Sequence, residues 1–345
     1  MKKSFIKIYI IPSAIFVLII ILVIFLNTYK KIYKPNISKS SYALYIPSKS
    51  DYTNVVEILE RDSVLNSVSS FKWLAEKKNY PNHIYSGKYI LDSSMSNNDL
   101  IDKLRSGFQD PIKVVFNSVR TKEQLAGKIT KQIEIDSVSF LNLLKNDSLI
   151  TSYGYKQETV TCIFLPNTYE FWWNTSGEKF VARMSKEYLR FWNDERRQKA
   201  AVLNLTPEEV ITLASIVDEE TYYNSEMPIV AGLYINRLRR RMHLQADPTL
   251  KFALGDFSIK RVLNIHKQID SPYNTYKRYG LPPGPISIPS IAAIDAVLNF
   301  ESHSYIYMCA KPDFSGYHNF AKTLSKHNIN ARNYQRVLNK ERIWR

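Results

Sequence analysis

The sequence predicts an α+β protein with an N-terminal transmembrane helix, a small α+β module and a larger α+β domain whose helices pack on a mixed sheet. Three observations predict it. An uncharged apolar run occupies Ile8 to Leu26. A strand, helix, helix, strand order follows over the next stretch, and the final third combines dense turn chemistry with a hairpin pattern. At 345 residues, with 45% hydrophobic and 13% aromatic content, the chain suits an anchor plus two or three folded units with sizeable cores.

The apolar run is flanked by Lys2, Lys3 and Lys7 before and Lys30, Lys31 and Lys34 after. At ~1.5 Å per residue it spans about 28 Å, close to a bilayer's hydrocarbon thickness. It ends in Asn27-Thr28-Tyr29-Lys30 without a small-x-small cleavage site, so it reads as an uncleaved anchor over residues 1–30. The lysines are nearly balanced across it, so charge sets orientation poorly. Residues 31–41 are polar, basic and proline-containing, which reads as a juxtamembrane linker.

The small module covers 42–110. Tyr42 to Ile46 reads as a strand, Asp51 to Glu60 and Val68 to Lys77 as helices, and Ile84 to Leu91 as a strand punctuated by Gly87. Ser96 caps a helix to Arg105, which Gly107 ends. The larger domain covers 111–345. Ile112 to Val119 reads as a strand, Thr121 and Gln124 form a capping-box pattern, and 121–204 is mostly helical around Phe164-Leu165-Pro166-Asn167-Thr168-Tyr169-Glu170-Phe171-Trp172-Trp173. The clearest motifs fall in 205–335.

Thr206-Pro207-Glu208-Glu209 is a helix start with cap, first-turn proline and back-reaching glutamate, and the helix should run to about Tyr222. At ~100° per residue, Glu220 lies about 20° from Leu213 on the apolar stripe, whereas Asp218 and Glu219 point about 140° and 120° away, toward solvent. A carboxyl on a buried face near a helix C-terminus has a raised pKa, since desolvation and the dipole act in one direction. A glutamic acid protonated near neutral pH is what glycosidic cleavage needs as general acid. The alternative is an ion pair with Arg237, Arg239, Arg240 or Arg241 on the next helix.

Three downstream segments read as site loops: His243 to Thr249, with Gln245 and Asp247; Tyr273, Asn274, Thr275 and Tyr276, before the Gly280-Leu281-Pro282-Pro283-Gly284-Pro285-Ile286 turn; and His318 with Asn319 on the return strand of a hairpin between Tyr305 and Ala321. Amides, hydroxyls and tyrosine faces suit a pyranose ring, which presents apolar and hydroxylated surfaces. Each has a duller alternative: Asp247 before Pro248 as a helix cap, the proline-glycine turn as a tight connector, His318 as a satisfied strand histidine.

The formal charge of +15 favours a polyanion: nucleic acid, anionic lipid or an acidic wall polymer. Basic residues are scattered and no nucleic-acid module appears, so nucleic acid is not expected as a partner. Phosphate-loop, dinucleotide, zinc-protease and nucleophile-elbow patterns are missing, and the histidines lack metal-ligand spacing, so neither metal nor cofactor is expected. Cys162 and Cys309 belong to no C-x-x-C pair; two free thiols or one disulfide remain open.

The ordered motifs Leu213-Ala214-Ser215-Ile216-Val217-Asp218-Glu219-Glu220-Thr221, Ile235-Asn236-Arg237-Leu238, Leu244-Gln245-Ala246-Asp247-Pro248-Thr249, Tyr273-Asn274-Thr275-Tyr276 and Gly280-Leu281-Pro282-Pro283-Gly284-Pro285-Ile286 resemble the endolytic murein transglycosylases of the YceG-like family. Phe164 to Phe171, His318-Asn319-Phe320 and the single anchor fit the same pattern. The resemblance implies a LysM-like subdomain at 42–110, a catalytic domain at 111–345 and Glu220 as catalytic acid and base. It also implies lytic cleavage between N-acetylmuramic acid and N-acetylglucosamine to 1,6-anhydro ends, terminating strand elongation without a cofactor. The expected location is the cytoplasmic (inner) membrane, N-terminus inside and catalytic domain outside, with glycan strands, the membrane and penicillin-binding synthases as partners. Asp218 stands where the family has a glutamate, and Lys326 precedes His327 where the family has Glu-His. Rival readings are a muramidase that hydrolyses the same bond and a non-enzymatic wall-binding scaffold.

Overall fold

The computed structural model describes residues 2–117, 119–259 and 261–340. The α+β class is what it shows. The elements in chain order are α1 (Lys2–Tyr33), β1 (Ser41–Ile46), α2 (Tyr52–Arg61), α3 (Val68–Lys77), β2 (Gly87–Asp92), α4 (Asn97–Ser106), β3 (Ile112–Phe116), α5 (Lys122–Ile129), α6 (Ser137–Leu144), α7 (Asp147–Ser152) and β4 (Asn167–Phe171). Then come α8 (Gly177–Phe191), α9 (Asp194–Val202), α10 (Pro207–Glu220), α11 (Met227–Arg239), α12 (Asp247–Leu254), α13 (Ile291–Leu298), β5 (Tyr307–Ala310), β6 (His318–Ala321) and α14 (Leu324–Lys340). The chain forms two compact units: residues 1–113 with 170–175, and residues 114–169 with 176–345.

In the first unit, α1 carries a 21-residue stretch, Ser13–Tyr33, of mean hydropathy 2.2, long and apolar enough to cross a membrane. β1 and β2 pair antiparallel from Ser41 opposite Asp92 to Ile46 opposite Gly87. Their period-2 alternation turns Leu44, Ile46, Tyr89 and Leu91 inward onto Val55 and Leu59 of α2, Phe71 of α3 and Leu100, Ile101 and Leu104 of α4. Ser96 caps α4 and Gly107 ends it at φ +70°, as the sequence predicts; Asp51, expected as the first helical residue, is instead the cap of α2, and both caps close a capping box.

The expected linker at 31–41 is a correction. α1 continues to Tyr33, and the Lys31 carbonyl in its last turn accepts from Asn97 Nδ2 at 2.8 Å. Asn36 is buried, donating to Asn97 at 2.7 Å and accepting the Ser67 N–H at 2.8 Å. Partners distant in sequence satisfy these polar groups, which local composition does not reveal.

The second unit is built from helices, and its sheets are smaller than expected. Every sheet among the described residues is a two-stranded pair: β1 with β2, β3 with β4, β5 with β6. In place of the expected mixed sheet, the described residues beyond the first module form two such pairs, with strands of four to five residues. The unit boundaries fall within β3 and β4. The apolar side chains of the Phe164 to Phe171 motif are buried: Phe164 stacks on Phe180 and Tyr169 on Phe116, and the Tyr169 hydroxyl donates to the Leu165 carbonyl at 2.8 Å. Thr121 accepts from the Gln124 N–H, but Gln124 reaches back to the Arg120 N–H instead of the cap itself.

α10 begins with the full expected capping box, Thr206 with Glu209, behind Pro207. Every residue from Val210 to Val217 is buried, so the helix is enclosed on all sides, with α11, α12 and α13 against it. Gly284 lets the proline-rich turn approach the chain at Glu158: a Cβ there would overlap the Glu158 carbonyl oxygen. Gly284→Ala should therefore cost about 1–3 kcal/mol, read as a lowered unfolding midpoint of the full-length protein in detergent.

Candidate active site

α10 delivers Glu220 to a cavity of about 240 Å³. The wall includes Tyr234 and Arg237 from α11, Leu244, Gln245 and Asp247 around the start of α12, Tyr276 from the following loop, and Met308, Cys309, Ala310 and His318 from the β5–β6 hairpin. Glu220 is half-buried and is the last residue of the helix, which stops two residues short of the expected Tyr222. Its carboxylate accepts from the Tyr234 hydroxyl at 2.6 Å.

Burial dominates the electrostatics and pushes Glu220 up to about 7. The Tyr234 hydrogen bond favours the ionised form and opposes that rise; the charge of Asp247 adds to it, and Lys251, with His318 when it is protonated, pulls it down. Burial raises the Tyr234 hydroxyl well above its ordinary range, so it stays a donor.

The arginine alternative for Glu220 is not realised. Arg237, 7% exposed, donates from Nε to the Ile306 carbonyl at 2.7 Å and from Nη1 to the Leu244 carbonyl at 2.7 Å. It ties α11 to the hairpin and to the loop carrying Gln245. Gln245 sits at φ +53°, a left-handed conformation uncommon for a non-glycine residue, and its N–H donates to the Thr275 carbonyl at 3.1 Å.

The helix-cap alternative for Asp247 is not realised. Ala246 occupies the cap position of α12, and Asp247 is the first helical residue, with its side chain accepting from the Tyr276 hydroxyl at 2.5 Å. Asp218 is a second correction. It does not face solvent: it accepts from the Ser290 hydroxyl at 2.6 Å and the Ser290 N–H at 3.2 Å, and burial raises its pKa. Ser290 caps α13, which covers that face of α10. Glu219 pairs bidentately with Arg120 at 3.1 and 2.8 Å.

Of the sugar-contact candidates, the structure brings Gln245, Asp247, Tyr276 and His318 to the cavity with Glu220. The other four do not line it. Tyr273 packs on Phe252 with ring centres 4.7 Å apart. Asn274 is fully buried and donates to the carbonyls of Lys267 and Ile269. Thr275 accepts the Ala246 N–H at 3.0 Å and bonds Thr249 at 2.8 Å. Asn319 lies opposite Cys309 across the hairpin. Asn274 and Thr275 thus hold the loops that place Gln245 and Tyr276. Sequence reasoning missed Tyr234, and with it Glu226, 3% exposed, which holds His318. A tyrosine fourteen positions after Glu220 on the next helix carries no local signal.

A larger groove of about 810 Å³ lies at the start of α10, bordered by Glu208, Glu209, Arg239 and Pro282. Its acids are engaged in fold contacts, Glu208 with the Tyr188 hydroxyl at 2.7 Å and Glu209 with the Thr206 N–H at 2.8 Å. Among the described residues no cluster of three His, Cys, Asp or Glu is placed to hold a metal, and both cysteines are free.

Comparison with known proteins places this geometry in context. The endolytic murein transglycosylase of Bacillus subtilis is 30% identical over 312 residues, covering 84% of each chain. The endolytic murein transglycosylase of Streptococcus pneumoniae is 27% identical over 309 residues, 79% of this chain but 55% of that longer protein. A crystal structure of a yceG-like protein from Listeria monocytogenes superposes with a TM-score of 0.55 at 28% identity, covering 85% of this chain and 99% of that one. The family model for the YceG-like family matches residues 44–333, which span both units, and the chain belongs to that family.

Proposed function

We propose that this chain is an endolytic peptidoglycan lytic transglycosylase with Glu220 as its general acid. One observation supports this most: in a chain whose relatives are named endolytic murein transglycosylases, a half-buried glutamate with its pKa near 7 opens into a polar cavity. Protonated Glu220 donates to the oxygen joining N-acetylmuramic acid to N-acetylglucosamine. The muramoyl C6 hydroxyl attacks C1 of its own sugar, and the ring closes to a 1,6-anhydro end. The C6 proton leaves to a base in the cavity, and Glu220, once ionised, is one such base. One carboxyl suffices because the nucleophile is intramolecular, whereas hydrolysis needs a second group to activate water.

The apolar stretch Ser13–Tyr33 is the anchor in this reading, with the N-terminus in the cytoplasm and residues 42–345 outside the cytoplasmic membrane, beside nascent strands and their synthases. Residues 42–110 serve as a LysM-like wall-binding subdomain. Mass spectrometry of glycan strands digested by the full-length protein tests the reaction. Anhydromuramoyl ends are expected; reducing ends would make it a muramidase, and uncut strands would leave a binding protein.

The pH profile gives a further expected result. Glu220 must be protonated to act, so activity declines as pH rises through about 7. The charge of Asp247 raises that pKa, so Asp247→Asn should move the alkaline limb to lower pH. An unmoved or raised limb in a kcat–pH series would contradict the assigned electrostatics.

A further inference from the structure

Glu226 is the one aspartate or glutamate among the described residues with exposure as low as 3%, and both its oxygens are spent on one residue. Oε1 accepts the backbone N–H of His318 at 2.7 Å, and Oε2 faces His318 Nδ1 at 2.9 Å. A carboxylate accepts only, so Nδ1 carries the proton and Nε2 is the ring nitrogen left over. Among the described residues no protein group hydrogen-bonds Nε2, and His318 borders the cavity that holds Glu220. An imidazole whose tautomer is fixed by a buried carboxylate, on a residue that borders the cavity and with its other nitrogen unclaimed by protein among the described residues, has the arrangement of a proton acceptor.

We propose that His318, oriented by Glu226, is a second catalytic group: its Nε2 accepts the proton of the muramoyl C6 hydroxyl as that oxygen attacks C1. This rests on the transglycosylase reading above. The step balances within the cavity. The C1–O bond to the leaving sugar breaks and takes the Glu220 proton, the C1–O6 bond forms, and the O6 proton passes to Nε2. The imidazolium then returns a proton through solvent to the Glu220 carboxylate, which restores both groups. Glu220 can take the C6 proton only after it has released its own, whereas His318 Nε2 can take it while Glu220 is still protonating the leaving oxygen, so the two transfers run together.

The other charged or titratable groups around the cavity are Glu220, Tyr234, Arg237, Asp247, Tyr276 and Cys309, with Lys251 nearby. Asp247 is the rival base. Its carboxylate already accepts from the Tyr276 hydroxyl at 2.5 Å, whereas no protein group among the described residues claims His318 Nε2. Glu226 touches no substrate and acts as a positioning residue.

The test is steady-state cleavage of purified glycan strands by the full-length protein in detergent, with kcat, KM, pH profile and melting temperature for each variant. His318→Asn should lower kcat about 100-fold or more with KM within about twofold, and should abolish the acid limb of the profile. Glu226→Gln keeps the shape but turns an amide N–H toward Nδ1, which favours the tautomer with the proton on Nε2. It should reproduce the kcat loss, and Glu226→Asp should recover part of it. Parent kcat and acid limb in His318→Asn, beside an inactive Glu220→Gln, would overturn the proposal while leaving Glu220 as sole acid and base. So would losses of kcat, KM and melting temperature in parallel, or an acid limb that survives in His318→Asn and vanishes in Asp247→Asn. A parent that makes no anhydro ends would sink this inference and the proposed function together.

Discussion

Glu220→Gln should reduce glycan cleavage by about 10²–10⁴-fold without loss of fold. Glutamine keeps the shape and an oxygen to accept from Tyr234, which lies at 2.6 Å, but cannot release a proton to a leaving oxygen. The same variant carries a second signature. Burial lifts Glu220 from its ordinary value of 4.5 to about 7, so the folded state holds its proton more tightly than the unfolded chain does. The stability linked to that proton is present below about pH 4.5 and is lost as pH rises through about 7. Removing the ionisable group should therefore raise the melting temperature at pH 8.5 and give no gain below pH 4.5. An inactive variant that melts far below the parent at both pH values would point to misfolding, not to chemistry.

Arg237→Ala should lose stability and activity together. The guanidinium fills a buried site, satisfies the carbonyls of Ile306 and Leu244, and lies 5.6 Å from the Tyr307 ring centre. Truncation leaves buried acceptors unpaired and a void beside the cavity, a loss of about 3 kcal/mol or more. Activity should fall because the freed segments carry Gln245 and the β5 wall. Chemical denaturation beside the cleavage assay checks both effects. Arg237→Lys should rescue little, since a single ammonium cannot reproduce the forked geometry that spans two strands of chain. A variant of parental stability would show that the carbonyls find other donors.

What the sequence made legible was mostly local. The caps at Ser96 and Thr206 and the end of α4 at Gly107 follow from neighbouring residues alone, and each is found in the structure. Helical periodicity, a local property, sets Glu220 apart from Asp218 and Glu219, but α10 is buried all round and the three acids are alike partly buried. What failed was non-local. Asp218 was placed in solvent because nothing near it announces Ser290, seventy-two residues later. Asn274 and Thr275 have the chemistry of sugar ligands, yet they spend it on backbone and on Thr249, because buried loops must satisfy their own polar groups. Tyr234 and Glu226 went unseen because their partners are created by packing: one lies across two helices and the other ninety-two residues from His318.

The most direct test of the central claim is digestion of purified glycan strands in heavy-oxygen water by the full-length protein, with the new muramoyl ends analysed by mass spectrometry. Intramolecular closure takes its oxygen from the sugar's own C6 hydroxyl, so the account predicts anhydro ends that carry no label, formed by the parent and not by Glu220→Gln. Reducing ends that each carry one heavy oxygen would mean that water is the nucleophile and would contradict it.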